Sequence, residues 1–137
     1  MNSFPLKIVT PDGLQFDGEA QELIVRTTSG DMGVLAGHTD CVTPLGMGPA
    51  TVVTAEGKRT AACIGGMLSI LAGEVRLVPT TFEWADSIDL HRAENAEQRA
   101  RKIIEEKSAS EAELRVAEAR LKRALVRKSV ASSIQGH

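Results

Sequence analysis

Apolar and polar residues alternate with a period of two over residues 67–78, then recur every three or four residues from about residue 90 onward. In Met67-Leu68-Ser69-Ile70-Leu71 and Glu74-Val75-Arg76-Leu77-Val78, the residues Leu68, Ile70, Val75 and Leu77 alternate with Ser69, Glu74 and Arg76. That alternation predicts two strands, each with one buried and one wet face, and Ala72-Gly73 between them predicts a hairpin. Earlier runs fit the same scheme. Pro5 to Thr10 stops at the turn triplet Pro11-Asp12-Gly13, and Gln21 to Thr28 stops at Ser29-Gly30-Asp31. Ala50 to Thr54 and Thr60 to Ile64 flank Glu56-Gly57-Lys58, a second predicted hairpin. Many short strands with regular breakers predict an antiparallel sandwich or flattened barrel over residues 1–85.

From Thr80 to Gln135 there is neither proline nor glycine, so nothing in the backbone opposes a helix. The spacing predicts a first helix capped by Asp86 or Ser87 and running to about Lys107. Its apolar stripe is Leu90, Ala93, Ala96, Ala100, Ile103 and Ile104. Ser108-Ala109-Ser110 interrupts it, and Ser110 with Glu113 has the spacing of a capping box, which predicts the start of a second helix. The second stripe is Leu114, Ala117, Leu121, Ala124 and Leu125, and Val130 to His137 is expected to fray. A break of three residues between two such helices predicts an antiparallel two-helix hairpin over residues 86–137. Both stripes are rich in alanine and lack aromatic residues, so the packing is modest and the arm is expected to lie close to a balance of folded and open forms.

Charge divides along the same boundary. Residues 1–86 carry 5 Lys/Arg against 10 Asp/Glu, and residues 87–137 carry 11 against 8, too weak a basic excess for a nucleic-acid tail. No apolar run approaches 18 residues and no export signal stands at the start, so neither membrane spanning nor secretion is expected. Cys41 and Cys63 lack metal-ligand spacing and are expected to be free buried thiols. The glycine-rich stretch Gly30-Asp31-Met32-Gly33-Val34-Leu35-Ala36-Gly37-His38 has no phosphate-loop spacing and is expected to be a turning loop. His38, Asp40 and Cys41 are too local to form a catalytic triad, and His38 is expected to be structural. With no nucleophile–base pair, metal cluster or phosphate loop, the chain is not expected to be an enzyme.

The arm's charges carry the candidate site. Asp89 and Arg92 are three apart, Arg99 lies seven beyond Arg92, and Arg123 and Arg127 are four apart on the second helix. In an antiparallel hairpin these four arginines converge with one carboxylate, an arrangement suited to phosphate oxygens. Judged by spacing alone, solvated helix faces with pairs such as Glu118 and Lys122 are the better fit.

Gly30-Asp31-Met32-Gly33-Val34-Leu35-x-Gly37-His38, then Gly48, then Gly65-Gly66-x-Leu68-x-Ile70, resembles the epsilon subunit of the bacterial F-type ATP synthase. The likeness runs from about Leu6 to Ala131, with Ala36 standing where that family usually has proline. It implies a ten-stranded N-terminal β-sandwich followed by a two-helix hairpin. It further implies a regulatory and coupling subunit at the cytoplasmic face of the cell membrane. The sandwich would sit on the gamma subunit and the c-ring, in an enzyme driven by protons or sodium ions. The arm would either fold against the sandwich or extend along gamma toward the alpha and beta subunits, where it would oppose ATP hydrolysis. Ile88-Asp89-Leu90-His91-Arg92-Ala93 matches the family's nucleotide motif, Ile/Leu-Asp-x-x-Arg-Ala. The resemblance thus implies ATP as a regulatory ligand, held by Glu83, Ile88, Asp89, Arg92, Ala93, Arg99, Arg123 and Arg127. The alternatives are an epsilon subunit without nucleotide sensing, and a free-standing sandwich whose helical tail dimerises as a coiled coil.

Overall fold

Strand pairing in the first 84 residues is set by where the breakers fall and which positions repel water. The computed structural model describes residues 2–135. It has ten strands: β1 (Phe4–Thr10), β2 (Gly13–Ala20), β3 (Glu22–Thr27), β4 (Gly30–Val34), β5 (Cys41–Pro44), β6 (Met47–Thr54), β7 (Gly57–Ile64), β8 (Met67–Leu71), β9 (Glu74–Val78) and β10 (Thr81–Trp84). They form two five-stranded sheets of order β2-β1-β9-β8-β5 and β10-β7-β6-β3-β4. The expected sandwich is present, and its ladders are antiparallel except for β1 with β9, which run parallel from Leu6 beside Val75 to Ile8 beside Leu77.

Both predicted hairpins form. At the tighter one Ala72 and Gly73 have φ of 51° and 82°, a left-handed pair, and the Asp40 carboxylate accepts the Ala72 N–H at 2.9 Å. The strands that the pattern did not announce are β2, β4, β5 and β10. β2 contains two glycines and a largely exposed face, and β5 is four residues long and ends in Pro44, so neither shows a clean alternation. The glycine-rich stretch is only partly a loop. Its first half is β4, paired to β3 with Arg26 opposite Asp31, and their side chains meet at 2.8 Å.

The core between the sheets is built from Leu6, Ile8, Leu23, Val25, Val34, Val52, Leu68, Ile70 and Leu77, all sealed from solvent. Each such side chain contributes about 1.5–3 kcal/mol over its exposed state. Gly66 and Gly48 sit where a side chain would collide with its surroundings. A Cβ on Gly66 would overlap the Val78 carbonyl oxygen, and one on Gly48 would lie 2.8 Å from the Arg26 Cβ. Cys63 is buried, and burial pushes its thiol up to about 12. Cys41 is free too but only half-buried, less enclosed than expected. Trp84 closes the unit, stacked edge-on with Phe82 at 4.9 Å and covered by the Arg59 guanidinium 3.7 Å from its ring centre.

The chain divides between Trp84 and Ala85 into two compact units. The second holds a 3-10 turn (Ala85–Ser87), α1 (Leu90–Glu105) and α2 (Glu111–Gln135). The cap of α1 is Asp89, whose carboxylate accepts the Arg92 N–H at 3.1 Å, and not Asp86 or Ser87, which the 3-10 turn has taken up. α1 stops at Glu105, short of Lys107, because Glu106 is extended, with ψ of 124°. The second cap is as expected, the Ser110 hydroxyl accepting the Glu113 N–H at 3.1 Å. The anticipated fraying fails at Val130 and Ala131, which are buried near the end of α2; Gly136 and His137 lie outside the described residues.

Candidate functional site

Alanine decides how the hairpin closes. Ala93 and Ala100 on α1 and Ala117 and Ala124 on α2 are buried, so the helices pack through their smallest side chains. Leu125, assigned to the stripe, is instead 37% exposed. Into the alanine seam falls a residue that hydropathy does not flag, Glu97, only 6% exposed. Its two carboxylate oxygens accept Lys128 Nζ from α2 at 3.0 Å and Arg101 Nε from its own helix at 2.9 Å. The Lys128 hydrogen bond, followed by that of Arg101, holds the Glu97 carboxyl below the usual carboxylate range, against the opposing effect of burial. A contact between the middle of α1 and the last third of α2 fixes the antiparallel register.

That register brings arginines together. A hollow of about 270 Å³ in the helical unit is lined by Ala96, Arg99, Ala100 and Ile103 from α1 and by Arg120, Arg123 and Arg127 from α2. Three of the four expected arginines therefore share one space, with an alanine floor that lets large guanidinium groups close over it. Arg123 and Arg127 are half-buried, and Arg99 is exposed at the rim. No carboxylate is among the lining side chains. Such a cluster suits a multiply charged oxyanion, because each guanidinium fork offers paired donors to phosphate oxygens.

The other expected residues of the helical unit do not line this hollow. Arg92 is exposed in the first turn of α1 and does not line it. Asp89 is occupied as the helix cap, so its link to Arg92 is to the backbone N–H rather than across a helix face. Ile88 is half-buried just before that cap and Ala93 is buried one turn on. Glu83 stands half-buried on β10, opposite Ala62 in the ladder, within the first unit. Arg120 is the residue that sequence reasoning passed over. Its signal was present, since it precedes Arg127 by seven positions, the same spacing that linked Arg92 to Arg99. Among the described residues no group of His, Cys, Asp or Glu is arranged to hold a metal ion. Among the described residues, likewise, no helix is long and apolar enough to cross a membrane.

Comparison with known proteins bears on both units. The family described as ATP synthase, Delta/Epsilon chain, beta-sandwich domain matches residues 3–85, and its companion, the long alpha-helix domain, matches residues 86–132. The ATP synthase epsilon chain of an Exiguobacterium species is 37% identical over 131 residues, covering 95% of this chain and 96% of the relative. That of Caldanaerobacter subterraneus is 34% identical over 134 residues, covering 97% and 96%. Among solved structures, a chain of the Euglena gracilis mitochondrial ATP synthase, determined as OSCP, F1 and c-ring, superposes with a TM-score of 0.81. It covers 98% of this chain and 82% of that one at 24% identity, a likeness of fold.

Proposed function

The chain belongs to the ATP synthase delta/epsilon family, with epsilon chains as its relatives, and from that premise we propose that its helical hairpin is an ATP-responsive brake on the enzyme. The chain is a non-catalytic subunit of the ATP synthase central stalk. What supports the finer reading is one observation: Arg99 from α1 and Arg123 and Arg127 from α2 line a single hollow.

In this reading the triphosphate bridges arginines borne by two helices, and Ile88, Asp89, Arg92, Ala93 and Glu83 attend the nucleoside end. Binding only the closed hairpin, ATP stabilises it by about 1.4 kcal/mol at ten times Kd, a tenfold shift in a balanced equilibrium. Without an anion the Arg99, Arg120 and Arg123 guanidinium groups repel one another, and the thin alanine seam offers little to oppose opening. The opened arm reaches along the gamma subunit to acidic surface on the alpha and beta subunits and opposes ATP hydrolysis, in a salt-sensitive way. The sandwich couples gamma to the c-ring at the cytoplasmic face of the membrane, for proton or sodium transport.

Calorimetric titration of the full chain with ATP tests the ligand. Saturable binding is expected, with a rise in melting temperature at millimolar ATP, and Arg123→Ala is expected to lose both. No heat and no thermal shift would leave the rival, a coupling subunit without nucleotide sensing.

A further inference from the structure

Arg120 points to a longer anion site than the expected residues define. Along α2 the residues Arg120, Arg123 and Arg127 follow one another on the face that lines the hollow, with Arg99 opposite them on α1. At 1.5 Å rise per residue, Arg120 and Arg127 are about 10 Å apart along the helix axis, so the arginines of α2 form a row along the hollow rather than a single point. Arg120 also stands at the hollow's far end, since it lines a second, adjoining space of about 350 Å³ with Ile103, Ala112, Glu113, Val116 and Ala117 toward the connection between the helices. Glu113 is the one carboxylate lining that adjoining space, and the basic hollow has none.

We propose that Arg120 contacts the terminal phosphate of the bound nucleotide and so sets how strongly the hairpin discriminates ATP from ADP. The inference rests on the ATP reading above, in which the nucleoside lies at the Asp89 end. The antiparallel register places Asp89, at the start of α1, opposite the last turns of α2, so a phosphate chain running from there passes Arg127, then Arg99 and Arg123, and reaches Arg120 last. Arg120 is exposed and lies outside the buried seam, so its role separates cleanly from folding. Its guanidinium is a specificity-determining group rather than a support for the helix.

The test is titration of the full chain with ATP, ADP and AMP, in wild type and in Arg120→Gln, with Arg115→Gln as an α2 control outside both spaces. Expected is about a tenfold loss of ATP affinity in Arg120→Gln, the low end for a charge-assisted contact, with ADP and AMP within about twofold of wild type. Inorganic tripolyphosphate should weaken with ATP, and pyrophosphate should not. Equal weakening of all three nucleotides would put Arg120 at the nucleoside side, and no change in any would remove it from the site; either overturns the inference while the ATP reading stands. If wild type binds none of the nucleotides, the ATP reading falls first and the inference with it.

Discussion

The sandwich and the hairpin are about equally regular in backbone, yet they are held by opposite means. The sandwich encloses branched side chains, Leu6, Ile8, Leu23, Leu68, Ile70 and Leu77, in a space that water does not enter. The hairpin closes on Ala93, Ala100, Ala117 and Ala124, with one carboxylate gripped by two cations in their midst. A core of large apolar groups tolerates no loss and hardly senses pH or salt. A seam of methyl groups with a charged clasp is cheap to open and responds to ions. The two units therefore suit a fixed anchor and a movable arm.

The largest effect expected is on the anchor. Leu77→Ala removes a sealed side chain from between the sheets and should cost about 3–4 kcal/mol. Urea unfolding followed by fluorescence of Trp84, the chain's sole tryptophan, measures it. No truncation at a seam position has as much to remove: Ala100→Gly deletes a single methyl and should cost about 1 kcal/mol, mostly through helix propensity. If both substitutions cost the same, the contrast between the units is broken.

The same contrast explains what the residues disclosed in advance. Strands whose one face is wholly apolar were readable to the residue: β8 and β9 occupy Met67–Leu71 and Glu74–Val78, as the alternation required. β4 was not, because Gly30 and Gly33 read as turn formers while cross-strand pairing to β3, a long-range effect, recruits them. On the arm, arginine spacing located most of the basic hollow, since Arg99, Arg123 and Arg127 all line it. The Glu97 clasp was illegible. Glutamate at a stripe position reads as a solvent-facing residue unless its partner is known, and Lys128 stands 31 positions away. Asp89 was noticed for charge, whereas its carboxylate is tied to a backbone N–H, which makes α1 begin later than a cap at Asp86 or Ser87 would have it.

An intermediate effect is expected at that cap. Asp89→Ala should destabilise the hairpin by about 1 kcal/mol, through an orphaned Arg92 N–H and a lost negative charge at the start of α1. Asp89→Asn keeps the acceptor and loses the charge, and it should recover more than half of that. Helical circular dichroism at 222 nm during heating reports it, while Trp84 fluorescence should not move. A cap that shifted both signals alike would mean that the units melt as one body.

The smallest effect separates the units by their response to pH. The folded Glu97 carboxyl titrates below its ordinary value, because Lys128 and Arg101 favour its charged form. Its stabilisation is therefore complete above the unfolded carboxyl's value of about 4.3, and it is lost as pH falls through the lower folded value. Wild type should melt above Glu97→Gln at neutral pH in the 222 nm signal, with the gap narrowing as pH falls below the unfolded carboxyl's value. Since Lys128 and Arg101 are both partly open to solvent, at 41% and 47%, salt should narrow the same gap. Glu118→Gln, an exposed carboxylate on α2, serves as the control and should show no gap. A difference between wild type and Glu97→Gln that persisted unchanged at pH 3 would mean that shape, and not charge, fills that place in the seam. The arm would then be closed by packing, as the sandwich is, and the ionic contrast between the two units would disappear.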